Sequence, residues 1–431
     1  MFENFKKISQ KFEFKNIISN IKSDGLLKNS IYLMASTAVM SFFGFFFWIL
    51  ASKLYTTEFV GISTTIISIT SLITGFSLLG LGSSIVKYLP KVESKSDLLN
   101  SSLITVFSLS FVLSIFYLAF VHFFIPSLSV LTSSIWLILA FSFFTSFYTI
   151  NILFDDIFVA YRKADYVFIK NTVFSVIKIL ALFIAISFGS LGVYVSFGIS
   201  GLISIFVAFI LLFLKLGYIP KFILDTELLR SLAKFSFGNY LSLFINGIPS
   251  RLLPIIITSV IGAHESAYFY ISLMIANLLY VIPMGVSQSL FAEGSYSEND
   301  LKKILLKSLK FIFLLVIPAI LLFFIFGNLI LSAFGVEYVL GASTLLKIFA
   351  VSALFISISN IGEVILKIQH KLKNLIFINS VYSIITIILS YIFSNIGITG
   401  IGYAFLIGNI VMAILHIYNS RKILFEMISN I

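Results

Sequence analysis

The chain has no cysteine, which excludes disulfides, thiolate metal sites and cysteine catalysis and leaves the redox compartment open. Charge is scarce: Asp, Glu, Lys and Arg make up 11% of the 431 residues, against 59% hydrophobic residues and a mean hydropathy of +1.09. A soluble domain carries about a quarter charged residues, so composition alone implies an integral membrane protein. Chemistry-bearing motifs are missing as well. No glycine-rich loop ends in Gly-Lys-Ser/Thr, which argues against nucleotide hydrolysis, and His264-Glu265 lacks the second histidine of a zinc helix and reads as an outer turn. No cofactor or metal is expected. The opening stretch MFENFKKISQKFEFKNIISNIKSDGLLK has no compact apolar core followed by a small-residue cleavage site, so it does not read as a signal peptide. Its Phe5, Ile8 and Phe12 alternate with lysines, which suits a helix lying on the inner membrane surface.

What the chain does have is long apolar runs. Counting each run of about 20 residues as a span gives twelve, near 29–51, 60–82, 103–125, 131–158, 167–188, 191–214, 235–262, 267–290, 311–334, 343–366, 375–394 and 398–418. The predicted fold is an all-α integral membrane protein with a basic segment 1–28, a six-helix bundle 29–215, a linker 216–234, a second six-helix bundle 235–418 and a tail 419–431. The net charge of +11 sits in the links between spans, where it sets orientation, so nucleic acid is not an expected partner. Both termini and the even-numbered links hold the lysines and arginines, including Lys87, Lys91, Arg162, Lys163, Lys170, Lys215, Lys307, Lys367, Lys371 and Arg421, whereas the odd-numbered links hold only Lys53. The positive-inside rule then places both termini in the cytoplasm.

Three basic residues, Lys178, Arg251 and Lys347, lie in or at spans instead, and the first two point to a site. Arg251 lies inside SFGNYLSLFINGIPSRLLPIIITSVIG, an apolar stretch long enough to span a bilayer, between Pro249 and Pro254. Charged side chains within spans are costly and usually face a water-filled cavity or a partner, and prolines there free carbonyls that line cavities. Lys178 stands about 11 residues into the fifth span, about 16 Å deep at about 1.5 Å per residue and too deep for easy snorkelling. A planar guanidinium can bind two phosphate oxygens at once. Arg251 and Lys178 are therefore the candidate binding site for an anionic substrate. Each has a plainer reading, Arg251 as a structural bond to an unwound carbonyl and Lys178 as a lysine bonded to a helix carbonyl.

The two halves repeat at a separation of about 208 residues. GSLGVYVSFGISG from Gly189 matches GITGIGYAFLIGN from Gly397, and the same offset superposes Asp155 on Glu363, Lys163 on Lys371 and Asn171 on Asn379, while Lys28-Asn-Ser30 falls near Lys234-Phe-Ser236. Six spans per half is an even number, so the halves run in the same direction and enclose a cavity at their interface. Lys178 superposes on Thr386 and Arg251 falls near Gly44, so neither cation has a charged counterpart, as expected where a duplicated scaffold binds one asymmetric ligand. Asp155 and Glu363, at equivalent depths near the cytoplasmic ends of the fourth and tenth spans, are candidates for an inner gate or for ion coupling through pairs with Arg162, Lys163, Lys367 or Lys371. The plainer reading of Glu363 is a local helix pair with Lys367.

The N-terminal stretch, with Glu58, Phe59 and Gly61 in an acidic-aromatic-x-Gly turn and Leu-Gly-Leu-Gly at Leu79 to Gly82, resembles the oligosaccharide flippases of polysaccharide biosynthesis in the multidrug/oligosaccharidyl-lipid/polysaccharide (MOP) exporter superfamily. GAHESAYFYISLMIANLL, Phe334 to Tyr338 and GITGIGYA agree, so the resemblance runs from about residue 26 to 420. It implies a two-lobed flippase of the cytoplasmic membrane that moves a polyprenyl-phosphate-linked oligosaccharide by alternating access, with membrane lipids and polysaccharide assembly proteins as partners. The family often carries an acid just before the arginine of the seventh span, where this chain has Ser250, which makes the site more cationic. A multidrug exporter of the same superfamily shares the twelve spans but would place acids rather than Lys178 and Arg251 at mid-depth. A membrane sugar polymerase or ligase needs an extensive external loop, and the odd-numbered links are short.

Overall fold

The computed structural model describes residues 25–296 and 301–428, and among these it is helical with no strand. Most of the basic N-terminal segment, including Phe5, Ile8 and Phe12, lies outside the described residues. Eleven helical stretches are long and apolar enough to cross a membrane, and one of them, Ala164–Leu216, turns back at Gly189, whose φ of 55° suits a residue without a Cβ, so twelve spans result.

The first lobe comprises α1 (Gly25–Leu54), α2 (Thr57–Leu78), the short α3 (Leu81–Tyr88), α4 (Lys95–Phe124), α5 (Ile135–Ala160), α6 (Ala164–Ile184) and α7 (Gly192–Leu216). The second comprises α8 (Thr226–Asn246), α9 (Ile248–Val260), α10 (Ala263–Tyr296), α11 (Leu301–Ser332), α12 (Val336–Ile368), α13 (Leu372–Phe393) and α14 (Ile398–Ile428). Their packing repeats. In the first lobe α4 packs on α5, α5 on α7, α6 on α7 and α1 on α6; in the second α11 packs on α12, α12 on α14, α13 on α14 and α8 on α13. Phenylalanine serves both surfaces, with Phe47, Phe154 and Phe349 buried and Phe116, Phe123 and Phe324 turned outward on faces that suit lipid.

The duplication is written into the backbone. Arg162 and His370 both adopt positive φ, 57° and 55°, and the following Lys163 and Lys371 amides donate to Phe158 O at 2.8 Å and Leu366 O at 2.9 Å. Gly189, inside a short 3-10 stretch, and Gly397, just after one, both have positive φ. Even a buried side-chain bond is duplicated: the Asn171 amide donates to Ser36 Oγ at 3.0 Å, and Asn379 to Ser242 Oγ at 3.0 Å.

The lobes meet tightly at the lysine-poor end, where α2 packs on α9 and α10. A Cβ on Gly61 would lie 1.7 Å from Ala263 O, so only glycine permits this approach. One turn deeper, Thr65 Oγ1 lies 2.5 Å from Thr258 Oγ1 and 3.1 Å from Ser266 Oγ, and Ser266 donates to Pro254 O at 3.2 Å. Further out, the Thr57 hydroxyl bonds the Glu337 carboxylate and Glu58 stands 4.0 Å from His264. A shared apolar core underlies the seal, with Phe47 and Ile66 from the first lobe against Leu253, Ile257, Phe269 and Phe349 from the second.

Candidate functional site

The seventh span is two helices. Gly247 closes α8 by donating to Leu243 O and Phe244 O, and α9 then starts with Pro249 in its first turn, where a missing N–H costs nothing. The sequence points to the prolines as the kinks, but the break falls at Gly247: Pro249 is accommodated at a helix start and Pro254 lies inside α9. The carbonyl of Pro254 accepts from the Ser266 hydroxyl, so this part of α9 belongs to the seal.

Arg251 stands in the first turn of α9 and folds back over the break. Its Nη1 would lie 2.5 Å from a Cβ on Gly247, its Cζ is 5.8 Å from the Phe244 ring, and its electrostatic neighbours are Tyr240 and Tyr148. Tyr148 belongs to α5 of the first lobe, and the Tyr240 hydroxyl of α8 bonds the Gly75 carbonyl of α2, so the guanidinium sits at the seam between the lobes. Its Nη1 is buried and has no hydrogen-bond partner among the described residues. A buried donor left unpaired is costly, which makes this nitrogen a ready site for an acceptor. The positive end of α9 lies at the same place and adds to the attraction for an anion.

Lys178 lies elsewhere. It is 6% exposed inside the first lobe, its ammonium 4.7 Å from the Phe47 ring, 5.3 Å from Phe174 and 4.8 Å from Phe197. Such a cage holds a cation by the ring quadrupoles, each worth about 0.5–2 kcal/mol. No described contact joins Lys178 to Arg251. Tyr148, beside Arg251, and Phe197, of the cage, nevertheless line one narrow cavity with Thr70 and Tyr194.

Asp155 and Glu363 are each held within their own lobe. Asp155 pairs with Lys170 at 3.1 Å, and Lys170 also donates to Asn151 O at 3.0 Å and Asn151 Oδ1 at 2.8 Å. Ser204 donates to the same Oδ1 and to Lys170 O. Lys170 is 1% exposed, so grouping it with the link lysines is wrong: it is a buried partner in α6, and the acceptors that bury it come from distant stretches of sequence. Glu363 pairs with Lys367 at 2.6 Å along α12, the local helix pair, and neither carboxylate reaches across the seam in this state.

Sequence reasoning overlooked a second concavity. Beside the Gly247 break, within the second lobe, is a cavity of about 250 Å³ lined by Ser250, Asn277, Ser359, Asn360, Tyr382 and Asn409 among others, with Glu363 on its wall. The polar residues named come from five helices and show no common spacing, and only the position of Ser250, next to Arg251, hinted at it.

The polysaccharide biosynthesis protein family matches residues 26–291, more than half of the chain. The chain belongs to this family. The MatE family also matches, over residues 250–392, while no curated protein does. Among solved structures, the chain is similar to the lipid II flippase MurJ in an inward closed conformation, with a TM-score of 0.71 at 17% identity over 92% of this chain and 90% of that one. An inward-facing multidrug resistance MATE family transporter of the MOP superfamily gives 0.69 at 14% over 92% and 99%. A MOP superfamily transporter from Pyrococcus furiosus, described as having a binding pocket of reversed polarity, gives 0.60 at 14% over 94% and 96%. The fold is therefore that of the MOP-superfamily transporters, and this family member is a multi-pass membrane protein.

Proposed function

We propose that the protein is a flippase that carries a polyprenyl-phosphate-linked oligosaccharide across the cytoplasmic membrane, with both termini in the cytoplasm. The observation that carries this reading is the buried, unpartnered Nη1 of Arg251 at the seam, above the positive end of a half-helix, where a phosphate would satisfy it. On the orientation set by the lysines, the sealed end faces outward, and this state awaits substrate from the cytoplasm. Lys178 adds positive potential to the same lobe interface through the Tyr148–Phe197 cavity, and substrate passage requires the seal at Gly61, Thr65 and Thr258 to part. Asp155 and Glu363, held by Lys170 and Lys367 in this state, exchange those partners for contacts across the inner seam when the lobes close there.

The test measures export of lipid-linked sugar in cells together with membrane insertion of each variant. Arg251→Ala and Lys178→Ala should both abolish export while leaving the protein inserted, and Arg251→Lys should rescue only in part because it lacks the bidentate fork. Unchanged export in both alanine variants sinks the anion site. Expulsion of an organic cation that persists in Arg251→Ala, with no effect of lipid-linked sugar on it, favours multidrug export instead.

A further inference from the structure

The second-lobe cavity is built differently from its counterpart in the first lobe. At the repeat offset, Tyr382 stands where the first lobe has Phe174, Phe405 where it has Phe197, Asn409 where it has Gly201, Asn360 where it has Ile152 and Thr386 where it has Lys178. The first lobe fills this place with its own groups, the Lys178 ammonium closed in by Phe174 and Phe197. The second lobe leaves about 250 Å³ open and lines it with amides and hydroxyls. Divergence at one place in a duplicated scaffold is what a ligand with two chemically different ends requires.

Several of these groups are not used by the protein. Ser359 is 3% exposed, yet its Oγ has no hydrogen-bond partner among the described residues, and it borders the cavity. The amides of Asn277 and Asn360 make no protein hydrogen bond among the described residues, and Asn277 is exposed into the space. The rings are fixed. Tyr280 donates to Phe349 O at 2.8 Å, and Tyr382 is buried in a cluster with Leu375, Ile378 and Met412. An amide offers donors and an acceptor together, which matches a sugar hydroxyl that does the same, and held aromatic rings suit the apolar face of a pyranose. A cation would meet only one carboxylate here, Glu363, already engaged by Lys367, and a prenyl chain would meet polar walls. The volume lies below the roughly 300–1,000 Å³ of drug-sized pockets, enough for about one sugar ring. Gly247 and Ser250 line the cavity while Arg251 folds over Gly247, so the cavity adjoins the guanidinium.

We propose that the amide-lined cavity of the second lobe is the sugar subsite, holding the carrier-proximal sugar of the transported lipid while Arg251 holds the phosphate. This rests on the flippase reading and adds to it the part of the site that discriminates one sugar from another. Asn277, Ser359 and Asn360 are the specificity-determining groups, because a site built to bond hydroxyls is left with unpaired polar atoms when the wrong sugar enters.

The experiment uses the full chain in nanodiscs and reads binding by native mass spectrometry. The probes are a bare polyprenyl diphosphate, the same carrier capped with a single glucose, N-acetylglucosamine or galacturonic acid, and each of these sugars free in solution. At least one capped carrier should bind about tenfold or more tightly than the bare one. Asn277→Ala, Ser359→Ala and Asn360→Ala should each remove about two- to tenfold of that gain, the worth of one hydrogen bond, without changing affinity for the bare carrier. Arg251→Ala should weaken every carrier alike, and free sugars should bind far more weakly than capped carriers. If no cap improves binding, or if the gain survives all three alanine variants, the sugar subsite is wrong while Arg251-dependent binding of the bare carrier keeps the flippase reading. If no carrier binds, or Arg251→Ala changes nothing, the flippase reading itself falls and the subsite with it. Free sugar binding as tightly as capped carrier overturns the subsite in favour of a soluble-sugar site. Because Asn277 is exposed to the cavity, its variant serves as the one least able to act through folding.

Discussion

At the scale of single residues, two glycines act through opposite kinds of neighbour. A methyl at Gly61 would meet the backbone of Ala263 at 1.7 Å, and backbone cannot move aside without parting the lobes. A methyl at Gly247 would meet the Arg251 guanidinium at 2.5 Å, the end of a long flexible side chain that can swing away at little cost to folding. Gly247→Ala should therefore leave expression and thermal stability near those of the parent but move the guanidinium off the half-helix end, lowering export about tenfold or more. Stability loss comparable to that of a core substitution would show instead that the glycine is needed for the backbone of the break.

At the scale of elements, the polar cluster around α6 separates what the sequence shows from what it hides. Span number and the duplication are legible because they rest on run length, on lysine placement and on a repeated register; Asn171 and Asn379, matched by sequence alone, do make equivalent bonds to Ser36 and Ser242. The depth of Lys170 is not legible, because near a span end a lysine that snorkels and one that is buried look the same in sequence. Burial here depends on Asn151, Asp155 and Ser204 from α5 and α7. The asparagine cavity is hidden for the same reason, its residues being brought together only by packing. Lys170→Met should destabilise the first lobe by about 3 kcal/mol or less, at or below the usual range for breaking a buried pair because the Asp155 side chain is 35% exposed. Asp155→Leu combined with Lys170→Met should recover most of the loss, since it removes the stranded carboxylate as well. Thermal unfolding of the purified protein checks both, and a double variant no more stable than Lys170→Met would show that the lysine acts mainly through Asn151.

At the scale of the whole molecule, the absence of cysteine becomes an experimental advantage, because any pair introduced at the seam is the only one that can react. At the lysine-poor end the lobes are joined by contacts that must all break together for that end to open: Gly61 on Ala263, Thr65 on Thr258 and Ser266, and Thr57 on Glu337. A conformational equilibrium shifts only by the difference in interaction energy between its two states, so a covalent bond possible in one state alone should trap that state. Thr65 and Thr258 present their hydroxyl oxygens 2.5 Å apart, from α2 and α9 respectively, close enough for cysteines at both positions to join. Thr65→Cys with Thr258→Cys should oxidise to a disulfide across the seam, stop export, and regain it on reduction, while either single substitution exports normally. In the locked protein the amide-lined cavity and Arg251 should stay reachable from the lysine-rich side and bind lipid-linked sugar as before, because only the exit is blocked. Export that continues at the parental rate with the disulfide fully formed would mean that these two helices do not separate during transport, and that the path for substrate lies outside the seam sealed by α2, α9 and α10.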